Sequence, residues 1–387
     1  MRLNRHGASV KAFSCSLRVN LALTALALLG LVPSRPATAA DFYSLTDLGV
    51  GVAEDINAQG QVVGALGDYS GGYNHNGLSG FLWSQNQGFT DLGSFGGDTT
   101  FPYAINNLGQ VVGNAYKANG ESLAFLWSKS TGLTDIGQLG IPYFGLNSSR
   151  ADAINDKGQV VGSSNTVGFL WTKSTGFTII PSIRSGGVFP SDINNAGQVV
   201  GSSGNASNGS TALLWSEGTG SPTDLTPFGD PYAGASAIND IGQVVGSFNE
   251  GIQAFLWNKS TGITDLGKLS QGNSYVFPND INNSNQVVGS SQIASGDFGP
   301  YHAFLWEDGV ITDLNSLVDD RAGIELSEAR AINNHGQIVG YGSLNGESHA
   351  FLLTPKSSGS KSVPEPDIAL SLLTFGALGL MSLVKLK

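Results

Sequence analysis

After residue 40 the side chains with the most chemical scope are His75, His302, His335, His349 and a large excess of carboxylates. No histidine has a partner at a spacing that acyl transfer or zinc hydrolysis requires. There is no Gly-x-Ser-x-Gly elbow, no His-Glu-x-x-His pair and no phosphate-binding loop. The one cysteine, Cys15, stands near the start, ahead of an apolar run. Glycoside hydrolysis needs only two facing carboxylates, and the acids leave that chemistry open. Six aspartates recur at matching places, Asp47, Asp91, Asp135, Asp224, Asp265 and Asp313, with Ile179 in the seventh. They lack the local oxygen-rich loop that calcium requires, so they are read as acceptors for turn amides. No metal or cofactor is expected.

What positions these residues is a repeat. The stretch Ala104-Ile105-Asn106-Asn107-Leu108-Gly109-Gln110-Val111-Val112-Gly113 recurs with small changes, its isoleucines at Ile56, Ile105, Ile154, Ile193, Ile238, Ile281 and Ile332. Ile56 and Ile332 are 276 residues and six intervals apart, a mean period of 46. A period in the forties indicates a repeat architecture. Each copy reads as a hairpin: Ile-Asn closes one strand, Asn-x-Gly turns, and Gln-Val-Val opens the next. The turn glycine is replaced once, by Asn285, the non-glycine residue that best tolerates a left-handed backbone. The invariant asparagines and glutamines, such as Asn106 and Gln110, are read as turn formers or inter-strand hydrogen bonders.

Two further motifs complete the unit. One is apolar, as in Phe125-Leu126-Trp127; the other resembles Thr-Asp-Leu-Gly, as at Thr90 to Gly93. Four short strands per unit, with apolar runs that do not alternate, describe sheets covered on both faces. The predicted fold is all-β, a seven-bladed β-propeller. The chain enters on a fourth-type strand and leaves on a third-type one. The strand at Phe42 to Leu48 is therefore expected to pair with Ala350 to Leu353 and close the ring. The only helix expected is a short one at Ser327 to Ala331.

The units resemble the HAF-repeat family of extracellular bacterial proteins. Its His-Ala-Phe signature is intact at His302-Ala303-Phe304 and His349-Ala350-Phe351 and altered elsewhere. The resemblance covers residues 41–353 and implies secretion and a propeller-like fold, with no established activity. The two histidines are read as structural or solvent-facing.

The ends carry a different signal. Residues 1–40 hold five basic residues and no acid, then an apolar run from Leu21 to Val32, then the small residues Ala37, Ala39 and Ala40. This is a secretory signal cut by signal peptidase, and its removal would take Cys15 with it. At the other end a linker at 356–362 leads to Val363, Pro364, Glu365 and Pro366, an apolar run from Ile368 to Val384, and Lys385 and Lys387. The segment 363–387 resembles the PEP-CTERM sorting tail. That resemblance implies a Gram-negative bacterium, transient membrane insertion through the apolar run, and processing by an exosortase at the cell envelope.

Between these ends lies the propeller domain, 41–355. Five of the nineteen basic residues precede position 41 and two follow 363. Two of the thirty acids follow 363. Residues 41–363 thus hold 12 basic and 28 acidic residues, a net of −16. That charge disfavours nucleic acid and anionic membranes as partners. Strand parity puts short, uniform turns at one end of every unit and long, variable loops at the other. Loops on a rigid scaffold are the usual place for function. The variable end carries Tyr103, Tyr143, Tyr232 and Tyr275, aromatic rings with a polar edge suited to sugars. The expected function is an exported binding or structural module of the envelope or extracellular matrix that holds a neutral or cationic polysaccharide on this face. The alternative is a secreted glycan-active hydrolase.

Overall fold

A computed structural model describes residues 43–67, 77–139, 148–205, 209–294, 299–318 and 320–356. The expected signal with Ala37, Ala39 and Ala40, the sorting motif at Val363, Pro364, Glu365 and Pro366, and Tyr143 all lie outside the described residues. Among the described residues no helix is long and apolar enough to cross a membrane.

The architecture is all-β. Every repeat is four antiparallel strands, in the second unit Gly96–Ile105, Val111–Lys117, Ser122–Ser128 and Gly132–Asp135. Five sheets have four strands and one has seven. The larger sheet arises because Tyr43–Ile56 serves two units. Its first half pairs with Glu347–Pro355, Tyr43 opposite Pro355 and Asp47 opposite Phe351, while its second half pairs with Val62–Leu66. Gly49 and Gly51, at φ of 97° and 146°, lie where the strand passes from one role to the other. The segment Ser327 to Ala331 is not a helix; it lies in the strand Glu325–Ile332. Its polar composition belongs to a first strand with two bulges, where burial no longer alternates simply.

The core lies between units rather than within one. Val63, Leu82 and Leu92 of the first unit pack with Ile105, Val111, Phe125 and Trp127 of the second. Ala331, Val339 and Leu352 of the last pack with Ile56, Val62 and Phe81 of the first. A sheet buried on both faces needs apolar side chains on both, which is why Val-Val and Phe-Leu-Trp do not alternate with polar residues.

The turns explain the invariant amides. In the second unit Gly109 sits at φ 72°, and Asn285 takes the same role at φ 64° in the sixth. Each asparagine donates one N–H to the glutamine four residues on, 2.7–2.9 Å away in all seven units. Its second N–H goes to the backbone carbonyl of the next unit's asparagine. That series runs Asn57, Asn106, Asn155, Asn194, Asn239, Asn282, Asn333 and returns to Asn57, every bond 3.0–3.1 Å. The aspartates Asp47, Asp91, Asp135, Asp224, Asp265 and Asp313 each accept a backbone N–H two residues on, at 2.7–2.8 Å, as expected for turn acceptors.

Candidate functional site

The first strand of every unit contains a β-bulge at the same place, two residues before the repeat isoleucine. The register skips Glu54, Tyr103, Asp152, Ser191, Ser236, Asn279 and Arg330. A bulge re-aims the side chain of its extra residue. The glycine that follows Val-Val permits it. A Cβ on Gly64, Gly113, Gly162, Gly201, Gly246, Gly289 or Gly340 would stand 2.0–2.3 Å from a backbone carbonyl of the bulged strand. The flanking residues are restricted too: Ala or Pro precedes the bulge and Ala or Asp follows it. Between these flanks the bulged residue itself varies freely, and all seven are half-buried.

The bulged residues stand on neighbouring strands. Each unit's first strand lies against the first strands of the units before and after it, and Tyr43–Ile56 lies against both Gly96–Ile105 and Glu325–Ile332. Arg330 bridges Glu54, 3.8 Å away, and Glu328, 3.3 Å away, and its guanidinium lies over the Tyr341 ring. Tyr341 donates to Glu328 at 2.8 Å, and Asn279 donates to it at 3.0 Å. Across the site Arg150 pairs with Asp152 and stacks over the Tyr103 ring, 5.2 Å from its centroid. Ser191 and Asn279 also tie units together, donating to the carbonyls of Ala235 and Ala329.

Burial governs the electrostatics. It pushes Asp152 up to about 7 against the pull of Arg150, and it raises Glu54 against the pull of Arg330. Tyr103 is raised for the same reason. Beside the bulge, Asp55, Asp192 and Asp280 each accept the next unit's isoleucine N–H at 2.8 Å. Burial lifts them to about 7, 7 and 6. A cleft of about 390 Å³ opens over four of the units, walled by Tyr103, Arg150, Asp152, Phe189, Ser191 and Ser236 among others.

Of the four tyrosines singled out from sequence, Tyr103 belongs to this site. It lies inside a strand rather than in a loop, because the aromatic–proline pairs at 101–103, 189–190 and 277–278 sit at the bulges. Tyr275 stands beside the bulged strand of the sixth unit. Its ring stacks on Phe277 at 6.1 Å and 7°, and Phe277 stacks on Tyr301 at 6.2 Å and 29°, a half-buried aromatic shelf. Tyr232 is 42% exposed, its N–H held by Asp230. Glu54, Asp152 and Arg330 escaped the sequence reading. Their signal was present: they occupy a freely varying position between two restricted ones.

The two intact signature histidines make equivalent contacts. His302 meets Asp313 at 2.6 Å and Glu325 at 2.8 Å; His349 meets Asp47 at 3.1 Å. Burial works against the His302 cation, but the two carboxylates carry its pKa above the usual value. Among the described residues no group of three or more His, Cys, Asp or Glu side chains is arranged to hold a metal ion.

No family model matches the chain, and no curated protein matches it in sequence. Solved structures do. The chain is similar to virginiamycin B lyase from Staphylococcus aureus, with a TM-score of 0.52 and 11% identity over 81% of this chain and 99% of that one. A streptogramin B lyase gives 0.53 and 13% over 82% and 99%. The β-propeller domain of the Trilobed protease from Pyrococcus furiosus gives 0.50 and 11% over 81% and 95%. At these identities the likeness concerns the fold alone, and that fold is the β-propeller.

Proposed function

We propose that this chain is an exported binding module of a Gram-negative cell envelope or extracellular matrix. In this reading it is a closed seven-bladed propeller that holds an extracellular polysaccharide across the end where the bulged residues gather. The closed ring is supported by the asparagine series that returns to its start and by the strand Tyr43–Ile56 serving two units. Export rests on the leader and on the tail that resembles a PEP-CTERM signal. Signal peptidase and an exosortase are then the processing partners, and intact-mass analysis finding native protein that still carries Lys387 would remove the exosortase.

The observation that carries the binding function is the set of varied polar side chains at seven equivalent bulges. Between neighbours restricted to Ala, Pro and Asp, the seven bulges carry Glu, Tyr, Asp, Ser, Ser, Asn and Arg, and Glu54, Arg330 and Asn279 join through Glu328 in one network. The aromatic shelf at Tyr275, Phe277 and Tyr301 supplies flat apolar faces beside that network, as sugar recognition requires. The test is a glycan array probed with the full-length protein and with a Tyr103→Ala, Tyr275→Ala double variant. The wild type should retain a polysaccharide that the folded variant releases. A wild type that retains none refutes the reading.

One observation favours the hydrolase alternative. Glu54 and Asp152 are buried carboxyls with raised pKa, in the units on either side of Tyr103, and a glycosidase needs one carboxyl kept protonated near neutral pH. Release of reducing ends from the retained polysaccharide would select this alternative; its absence over a long incubation would select the binder.

A further inference from the structure

The joint between the sixth and seventh units holds a titratable cluster that the binding reading does not use. His302 lies on the third strand of the sixth unit, Tyr301–Glu307, and its side chain is 14% exposed. The ring stands between two carboxylates. Its Nδ1 meets Asp313 Oδ2 at 2.6 Å, at the end of the same unit's fourth strand, Val310–Asp313. Its Nε2 meets Glu325 Oε1 at 2.8 Å, at the start of the seventh unit's first strand. A cleft of about 560 Å³ opens beside the ring, walled by His302, Asn315, Asp320, Arg321 and Glu325 among others.

Donor counting makes this arrangement depend on a proton. A carboxylate only accepts, and a neutral imidazole has one N–H to give. Both contacts therefore hold only for the imidazolium. When the ring loses a proton, one contact sets a lone pair against a carboxylate, and that contact must part. The two carboxylates are not equally free. Asp313 Oδ1 accepts the Asn315 backbone N–H at 2.8 Å and its Nδ2 at 3.0 Å, and Asn315 is itself tied to Arg321 and Leu326. The Glu325 side chain is 58% exposed, against 30% for Asp313, so Glu325 is the one that leaves. The other charged groups at the cleft are Asp320, which is exposed, and Arg321, whose guanidinium donates to Asn315 Oδ1 at 2.7 Å. Opposite His302 on the second strand stands Ser291, which carries no charge.

The other signature histidine lacks this property. His349 Nδ1 lies 3.1 Å from both oxygens of Asp47, a single carboxylate that one N–H satisfies. The remaining units have Ser79, Leu123, Val167, Thr211 and Gln253 at this place. We infer that the His302–Glu325 contact is a proton-operated latch across the joint of units six and seven. The imidazolium closes it; deprotonation opens it, turning Glu325 to solvent and widening the mouth of the cleft. Burial works against the cation and the two carboxylates outweigh it, so the latch opens above the ordinary histidine value of 6.5. It operates whatever the chain binds.

The test is nitrogen NMR of the full-length protein with labelled histidine, from about pH 5 to about pH 9, with His302→Gln assigning the signal. At low pH both ring nitrogens should carry protons. At high pH only Nδ1 should, since that nitrogen serves Asp313. Glu325→Gln changes an exposed side chain and should keep the fold. It should bind the His302 proton roughly two- to fivefold more weakly, the scale of a partly exposed ion pair. The glutamine amide offers a donor and an acceptor, so it suits either state of the ring. Hydrogen exchange at Leu326, next to the latch, is then compared after correction for the intrinsic effect of pH. It should speed roughly two- to fivefold across the range in the wild type and stay level in Glu325→Gln. A high-pH ring protonated at Nε2 overturns the inference, because Asp313 would then be the group released. So does an unchanged titration midpoint in Glu325→Gln, or wild-type exchange at Leu326 that ignores pH.

Discussion

Replacing Gly162 with alanine tests whether the bulge depends on the glycine opposite it. A Cβ at Gly162 would stand 2.0 Å from the Arg150 carbonyl oxygen and 2.9 Å from the Ala151 Cα. Carbon and carbonyl oxygen rest about 3.3 Å apart even in their closest favourable contacts, so the two strands must part by roughly 1 Å. Overpacking of this kind costs about 1–3 kcal/mol, and the stretched ladder bond adds about 1. A loss of roughly 2–4 kcal/mol corresponds to a melting temperature lower by roughly 3–6 °C in a domain of this size. The control is Gly88→Ala, a glycine at φ 67° with nothing within 4 Å. There the backbone strain alone costs about 1–2 kcal/mol. Differential scanning calorimetry of the two variants compares steric crowding with strain. If Gly162→Ala melts with Gly88→Ala or above it, the bulge does not rest on that close approach, and the account of the repeated glycines fails.

Other outcomes follow from the same geometry. Asn194→Ala removes the N–H donors to Gln198 and to the Asn239 carbonyl. It should cost roughly 2–4 kcal/mol in urea unfolding, and a change below 1 would mean the asparagine series is incidental. Burial holds Asp55, Asp192 and Asp280 above their ordinary 3.8, to about 7, 7 and 6. The folded chain therefore keeps protons that the unfolded chain releases, and stability should fall as pH rises from about 4 to about 7. His302 adds in the same direction, since its raised pKa gives stability that is lost as pH rises through that value. A melting temperature that climbs from pH 5 to pH 8 contradicts both assignments. Deleting residues 43–49 strips the partner from the strand Glu347–Pro355. It should lower the melting temperature and promote association through the bared edge; light scattering and melting curves identical to wild type would contradict that role.

The parts of this molecule that sequence exposed are those governed by local chemistry. Asn-x-Gly reads as a turn because few residues accept its backbone, and the recurring aspartates read as amide caps because a short carboxylate reaches two residues on. The bulges were harder. Whether Tyr103 or Asp152 faces a neighbour, the solvent or the shared site depends on the offset between two strands, and no single strand records that offset. The same offset moved Tyr103 from a loop into a strand and disguised Ser327 to Ala331 as a polar helical turn. The invariant asparagine was legible as a turn residue, but its second N–H, spent on another unit, is a long-range property that a repeat motif does not announce.

The strand Tyr43–Ile56 gives the fold a direction-dependent mechanical strength. Tyr43 lies opposite Pro355, so the two ends of the described chain leave from the same corner of one ladder. Pulling those ends apart loads the pairs one at a time, like peeling tape, and each rung gives way under a small force. Tension applied at Pro355 alone meets a different resistance. The strand Glu347–Pro355 is flanked by Ile338–Leu344 on one side and Tyr43–Ile56 on the other, so it cannot leave without tearing two ladders together. A protein tethered by its C-terminal end and tugged through a bound polymer would be loaded in the second way, with the N-terminal strand acting as the brace.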